Sequence, residues 1–122
     1  MDVPFFALCK ADPVVQALLG GALPRIYPFG TAPQNVVKPY VVCQEIAGSP
    51  FNMLACRPED DRVVLQVDVY ALKSGDSTKI AKAIRYAVEL NSYVVAYRGE
   101  IREEETKTYR TSFDVDWIVP RD

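Results

Sequence analysis

Residues 62–70 read Arg-Val-Val-Leu-Gln-Val-Asp-Val-Tyr. In an extended chain successive side chains point to opposite faces. Val63, Leu65, Val67 and Val69 therefore share one face, and Val64, Gln66, Asp68 and Tyr70 the other. One face is wholly aliphatic and the other mixed, the pattern of a strand with one side in a core. Ser74-Gly75-Asp76 supplies a turn and cap. Ile80, Ala83, Ile84, Ala87 and Val88 then recur at helical spacing, so residues 77–90 are predicted to form an amphipathic helix. Lys79, Lys82, Arg85 and Glu89 lie off its apolar stripe, and Asn91 is placed as a left-handed residue after it.

Downstream, Tyr93–Ala96 reads as a strand and residues 98–108 as a charged connection. Tyr109, Thr111, Phe113, Val115, Trp117 and Val119 alternate with Arg110, Ser112, Asp114, Asp116 and Ile118, which marks a last strand with an aromatic-apolar face. Upstream, residues 3–10 form an apolar turn or short helix. Asp12 suits an N-cap and Pro13 the first helical position, where no amide is needed. Val14, Val15, Leu18 and Leu19 give that second helix its apolar face, and Gly20-Gly21 ends it. Arg25-Ile26-Tyr27 is a short extended piece. Pro39-Tyr40 to Ile46 is a strand, broken by Gly48 and Pro50, and residues 47–61 form a long connection. The chain is thus one domain, residues 1–122, of α+β class. A two-layer sandwich is expected, with a mostly antiparallel four-stranded sheet and helices packed on one face. Val63, Leu65, Val67, Val69, Ile80, Ile84, Val88, Phe113, Val115 and Trp117 are its predicted core.

Composition narrows the chemistry. There is no histidine among the 122 residues, which removes the commonest general base and metal ligand and the Ser-His and Cys-His pairs. No cofactor or metal site is expected. Cys9, Cys43 and Cys56 are an odd number without C-x-x-C spacing, so neither a disulfide framework nor a zinc site follows; all three are expected to be unpaired. The formal net charge is −2 with both signs interspersed, and no basic face points to specific nucleic-acid readout. No signal peptide and no membrane-spanning run is read.

Four groups invite a functional reading. Glu59-Asp60-Asp61 and Glu103-Glu104-Glu105 lack EF-hand spacing, and solvated loop charge is the simpler account. Asp68, Asp114 and Asp116 could present paired carboxylates for acid–base work. Beside Arg110 and Gln66 they read more simply as an exposed or subunit-facing sheet surface. Tyr109, Phe113 and Trp117 could stack bases, but their acidic neighbours favour core packing. Phe51, Met53 and Leu54 put three large apolar side chains on a connection, where they either fold back or dock on a partner.

Several fragments occur in a characteristic order: Ala11-Asp12-Pro13-Val14-Val15, Arg25-Ile26-Tyr27-Pro28, Ala32-Pro33-Gln34, Pro39-Tyr40-Val41-Val42, Val67-Asp68-Val69-Tyr70 and Tyr109-Arg110-Thr111-Ser112-Phe113-Asp114-Val115. In this the chain resembles the tail-completion proteins of long-tailed bacteriophages, the family of tail terminators and head-to-tail joining proteins. The resemblance implies a structural virion protein, made in the bacterial host cytoplasm. It would form a ring, usually of six copies, that caps the tail tube and joins tail to head, with no active site. The implied partners are further copies of itself, the tail tube protein and a head-completion or neck protein, with no membrane. The chain departs from that pattern in its apolar start, Val3-Pro4-Phe5-Phe6, and in the length of 47–61. The residues expected to meet other subunits or the tube are Phe51, Met53, Leu54, Arg57 and Asp60 on the first connection. Arg98, Glu100, Arg102, Glu103, Glu104, Glu105 and Lys107 are expected to do so from the second, and Arg110 from the last strand. The competing readings are another neck protein, a head-closure or adaptor subunit, and a small α+β enzyme or ligand-binding domain with a carboxylate site. Turnover would single out the last.

Overall fold

The structure, a computed structural model, describes residues 3–34, 36–51 and 60–120, with backbone alone at 47–51, 60 and 120. In chain order it has α1 (Phe5–Ala11), α2 (Pro13–Leu19), β1 (Ile26–Pro28), β2 (Tyr40–Phe51), β3 (Asp60–Ala71), α3 (Asp76–Val88), β4 (Tyr93–Glu103) and β5 (Thr108–Pro120). The strands form one five-stranded sheet in the order β1-β2-β3-β5-β4, with all three helices on one side. The α+β, mostly antiparallel architecture is as the residue pattern predicts. The fifth strand, β1, is parallel to β2.

The helix side of the sheet is the core. Val63, Val67, Val69, Phe113 and Val115 are fully buried, and Leu65 and Trp117 nearly so. Ile80, Ala81, Ile84 and Val88 of α3 pack on them, and α1 and α2 contribute Phe5, Cys9, Val15 and Leu19. The apolar start is therefore structural: Phe5 is 2% exposed. Val14 belongs on the solvent side, at 58% exposed. The Asp12 carboxylate accepts from the amides of Val14 at 2.9 Å and Val15 at 3.1 Å, and Gly20 closes α2 in a left-handed conformation at φ 104°. Arg25 fastens β1 to β2. Its carbonyl accepts from the Val41 amide at 2.9 Å, and its Nε donates to the Pro39 carbonyl at 2.8 Å.

Three local expectations are corrected. The strand read as broken at Gly48 and Pro50 continues to Phe51, because those residues stay in register with Val63 and Asp61 of β3. Residues 98–103 are the second half of β4, and the connection shrinks to the turn Glu104–Lys107. Helix α3 ends at Val88, with its cap residue Glu89 at φ −72°. The Ser92 hydroxyl donates to the Val88 carbonyl at 2.8 Å, so no left-handed Asn91 is needed. The left-handed non-glycine among the described residues is Lys107, at φ 54° in the β4–β5 turn.

Candidate assembly interface

The sheet face opposite the helices follows from strand register. Reading across β2, β3, β5 and β4, its rows are Tyr40–Tyr70–Arg110–Ile101, Val42–Asp68–Ser112–Arg98, Gln44–Gln66–Asp114–Ala96 and Ala47–Val64–Asp116–Tyr93. The polar members pair along and across the strands. Arg62 Nε donates to both Asp116 carboxylate oxygens at 2.9 and 2.8 Å. Arg98 donates to Asp114 at 2.6 Å, and the Ser112 hydroxyl donates to Asp68 at 2.5 Å. The amide of Gln66 reaches the Asp68 carboxylate at 3.2 Å. The Asp114 hydrogen bond pushes the Arg98 pKa further up and keeps its charge fixed. Tyr40 stacks on Tyr70 with ring centroids 5.0 Å apart. Burial pushes the Tyr70 phenol up, against an opposing hydrogen bond with Arg110.

The three aspartates are thus each engaged by a cation or neutral donors. None of the three pairs with another carboxylate in the way a shared-proton acid–base site requires. The face is a half-buried polar surface, held in one arrangement by its own contacts and bare of helices.

The residues expected to meet partners lie in different parts of the structure. Arg102, Glu103, Glu104 and Arg110 come together near the β4–β5 turn, whereas Arg98 lies further along the sheet with Ser112 and Asp114. Arg110 pairs with Glu103 at 3.2 Å and Arg102 with Glu104 at 3.2 Å. Glu105 and Lys107 are exposed in the turn itself. Glu100 is used differently: it points to the helix side and holds the start of α3. Its carboxylate accepts from the Gly75 amide at 3.0 Å and from the hydroxyls of Ser74 and Ser77. Burial alone would raise its pKa; the hydrogen bonds from Ser77, Gly75, Ser74 and Thr78 outweigh that and lower it. Phe51 and Asp60 are the last and first residues of β2 and β3, opposite each other in register. Met53, Leu54 and Arg57 lie outside the described residues.

Residue reasoning missed the exposed apolar edge of β4. Tyr93, Val95 and Tyr97 are 68%, 52% and 42% exposed, beside a groove of about 530 Å³ lined also by Arg85, Glu89 and Ser92. The available signal was that residues 93–97 are apolar at both odd and even positions, although a charged helix precedes them and a charged run follows.

Among the described residues this is an open sheet covered by helices on one face, with a mixed polar second face and largely uncovered edges, a small α+β domain. The family described as "Tail completion protein gp17" matches residues 3–120. The chain belongs to that family, and as a member it is a structural, tail-completing component of the phage virion. No curated protein sequence matches the chain. Among solved structures it is similar to a chain of the virion of a native gene transfer agent particle, at 16% identity and TM-score 0.62, covering 96% of this chain and 92% of that one. It is also similar to the gp17 protein of bacteriophage SPP1, at 10% identity and TM-score 0.59, covering 96% and 86%. At such identities these likenesses establish the fold. No helix among the described residues is long and apolar enough to cross a membrane.

Proposed function

We infer that the chain forms a closed ring, six copies in the simplest case, that caps the tail tube and joins it to the head through a head-completion or neck protein. One observation carries this reading: the two hairpins leave the sheet at opposite ends. The β2–β3 pair runs out to Phe51 and Asp60, level with Pro120 of β5. The β4–β5 pair runs the other way to Glu103 and Thr108. A joining subunit needs contact groups at two opposed ends, and a ring of such subunits presents one set of hairpins on each rim. The rims differ in chemistry. One is bounded by Phe51 and Asp60; the other carries Glu104, Glu105 and Lys107. Interspersed charge of this kind favours choice of partner more than raw affinity.

Cryo-electron microscopy of assembled particles tests the reading. A closed ring of this chain at one end of the tail tube is the expected result. Reversing charge with Glu104→Lys and Glu105→Lys should leave the ring intact and abolish one of the two joints. A chain found only as dispersed monomer in lysate, with no tail association, would refute the ring. Density of this chain on the head side of the joint instead of on the tube would make it a head-closure or adaptor subunit.

A further inference from the structure

The sheet has two unlike open edges. Strand β4 is hydrogen-bonded to β5 alone, and β1 covers β2 only at Val41, Val42 and Cys43. From Gln44 onward β2 has no neighbour on that side among the described residues. The rows across the sheet put these edges at matching heights. Gln44 is level with Ala96 and Ala47 with Tyr93, whereas β1, beside Val41–Cys43, is level with Tyr97 and Arg98. Copies laid side by side at one height would therefore bring the uncovered part of β2 to the uncharged part of β4. Their directions are opposed, so this contact is antiparallel like the rest of the strand pairs from β2 to β4.

The chemistry agrees with the heights. Edge strands are commonly guarded by charge, proline or bulges. β4 places its charges from Arg98 to Glu103 and leaves Tyr93–Tyr97 uncharged. Each edge steps out of register beside the shared row Glu45–Leu65–Val115–Val94, on opposite sides of it: β2 between Glu45 and Ala47, and β4 between Val94 and Ala96. Each step leaves a β-branched residue exposed, Ile46 at 45% and Val95 at 52%. Glu45 shares a row with Leu65, Val115 and Val94, so it lies on the helix side. It is exposed and makes no ion pair among the described residues. On the same side of β4, Arg85 lines the groove, held only by a loose 3.8 Å contact to Glu89.

We propose that the ring is closed by strand addition: the Gln44–Ala47 edge of β2 in one copy pairs with Tyr93–Ala96 of β4 in the next, Ile46 packing diagonally against Val95 and Glu45 meeting Arg85. The inference rests on the ring reading above. The contact joins two different surfaces, so it repeats from copy to copy and closes where the rotation allows. Pairing at equal height favours closure over a climbing filament.

The test uses the full chain. Gln44→Cys combined with Ala96→Cys, treated with a short bismaleimide, should give a covalent ladder up to ring size; each single variant should not. Glu45→Arg and Arg85→Glu should each weaken assembly about tenfold or more by mass photometry, and the double swap should recover most of that loss. Both charged positions are exposed, so circular dichroism should report unchanged folding. Wild-type rings with no ladder and no recovery in the double swap would overturn strand addition and leave the ring standing. If wild type forms no ring in solution or on tails, the ring reading falls and this inference falls with it.

Discussion

Glu100→Ala removes a contact that no local pattern reveals. Helix α3 begins at Asp76, and its cap position is Gly75 at φ 89°, which has no side chain to receive the free amides of the first turn. Glu100 reaches across from β4 to do so, accepting from Gly75 and from the hydroxyls of Ser74 and Ser77. Ser77 is fully buried and keeps a second partner, the Thr111 hydroxyl at 2.8 Å. Its hydroxyl is therefore not orphaned by the substitution. A lost cap costs roughly 0.5–2 kcal/mol, and a hydrogen bond to a charged group about 1.5–3 kcal/mol when well shielded. The carboxylate is only half-buried, which discounts the second range. The expected loss is about 1–2 kcal/mol, read from urea unfolding at neutral pH.

The same contact fixes a pH dependence. The Glu100 pKa is lowered in the folded protein relative to its ordinary value of 4.5. A depressed acid stabilises the fold above its unfolded pKa, and that stability is lost as pH falls through the folded pKa. The gap between wild type and Glu100→Ala should therefore be full at pH 7 and shrink below about pH 4.5. Glu100→Gln should recover part of the hydrogen bonding and show no such titration. A loss under about 0.3 kcal/mol at pH 7, or a gap that grows on acidification, would refute the assignment of Glu100 to the α3 terminus.

Three further outcomes follow from buried groups and from the hairpins. Ile84 is fully buried against β3 and β5, so Ile84→Ala should cost about 2–5 kcal/mol by denaturant unfolding; a loss below about 0.5 kcal/mol would take α3 out of the core. Cys9, Cys43 and Cys56 should all titrate as free thiols under denaturing conditions without reductant. In the folded protein at pH 8 Cys9 should resist alkylation, since burial, with lesser contributions from Cys43 and Asp12, pushes its pKa up to about 12. Phe51→Ser with Met53→Ser should leave the monomer folded and weaken ring formation or tail joining. Unfolding of the monomer would show that those side chains serve its own core.

Much of the architecture was legible where a residue's role depends on near neighbours. The alternation in Val63–Val69, the Asp12 cap and the stripe Ile80–Ile84–Val88 each state a periodicity that burial then repeats. The rest depends on what lies beside a strand. Gly48 and Pro50 are breakers by local rule, yet pairing with Val63 and Asp61 carries β2 through them. Proline is tolerated there because β2 is an edge beyond Cys43 and needs no donor on its open side. The charges of Arg98–Glu103 likewise look like a loop from inside the sequence, whereas they are the ordinary dress of an edge strand. The order β3-β5-β4 makes β4 an edge, and local periodicity does not give that order. Glu100 is marked in the sequence by its charge alone, but its role needs the spatial nearness of Gly75 at the start of α3, twenty-five residues away.

The three-residue β1 acquires a reason within the proposed ring. Strand addition is prone to slippage, because a row of backbone groups accepts a neighbour at many registers. Here a β4 strand sliding along β2 towards Tyr40 would run into the end of β1 at Pro28, which Arg25 pins in place through its bonds to Val41 and Pro39. Sliding the other way would draw the charged Arg98 up beside Gln44. It would also separate Glu45 from Arg85. Each displacement meets either a steric stop or a broken charge pair, so one register is left. A short parallel strand and a charged half-edge, neither of which adds much to the core, would then act on assembly. They would set the height at which one copy meets the next, and that height decides whether the sheet closes into a ring or winds into a filament.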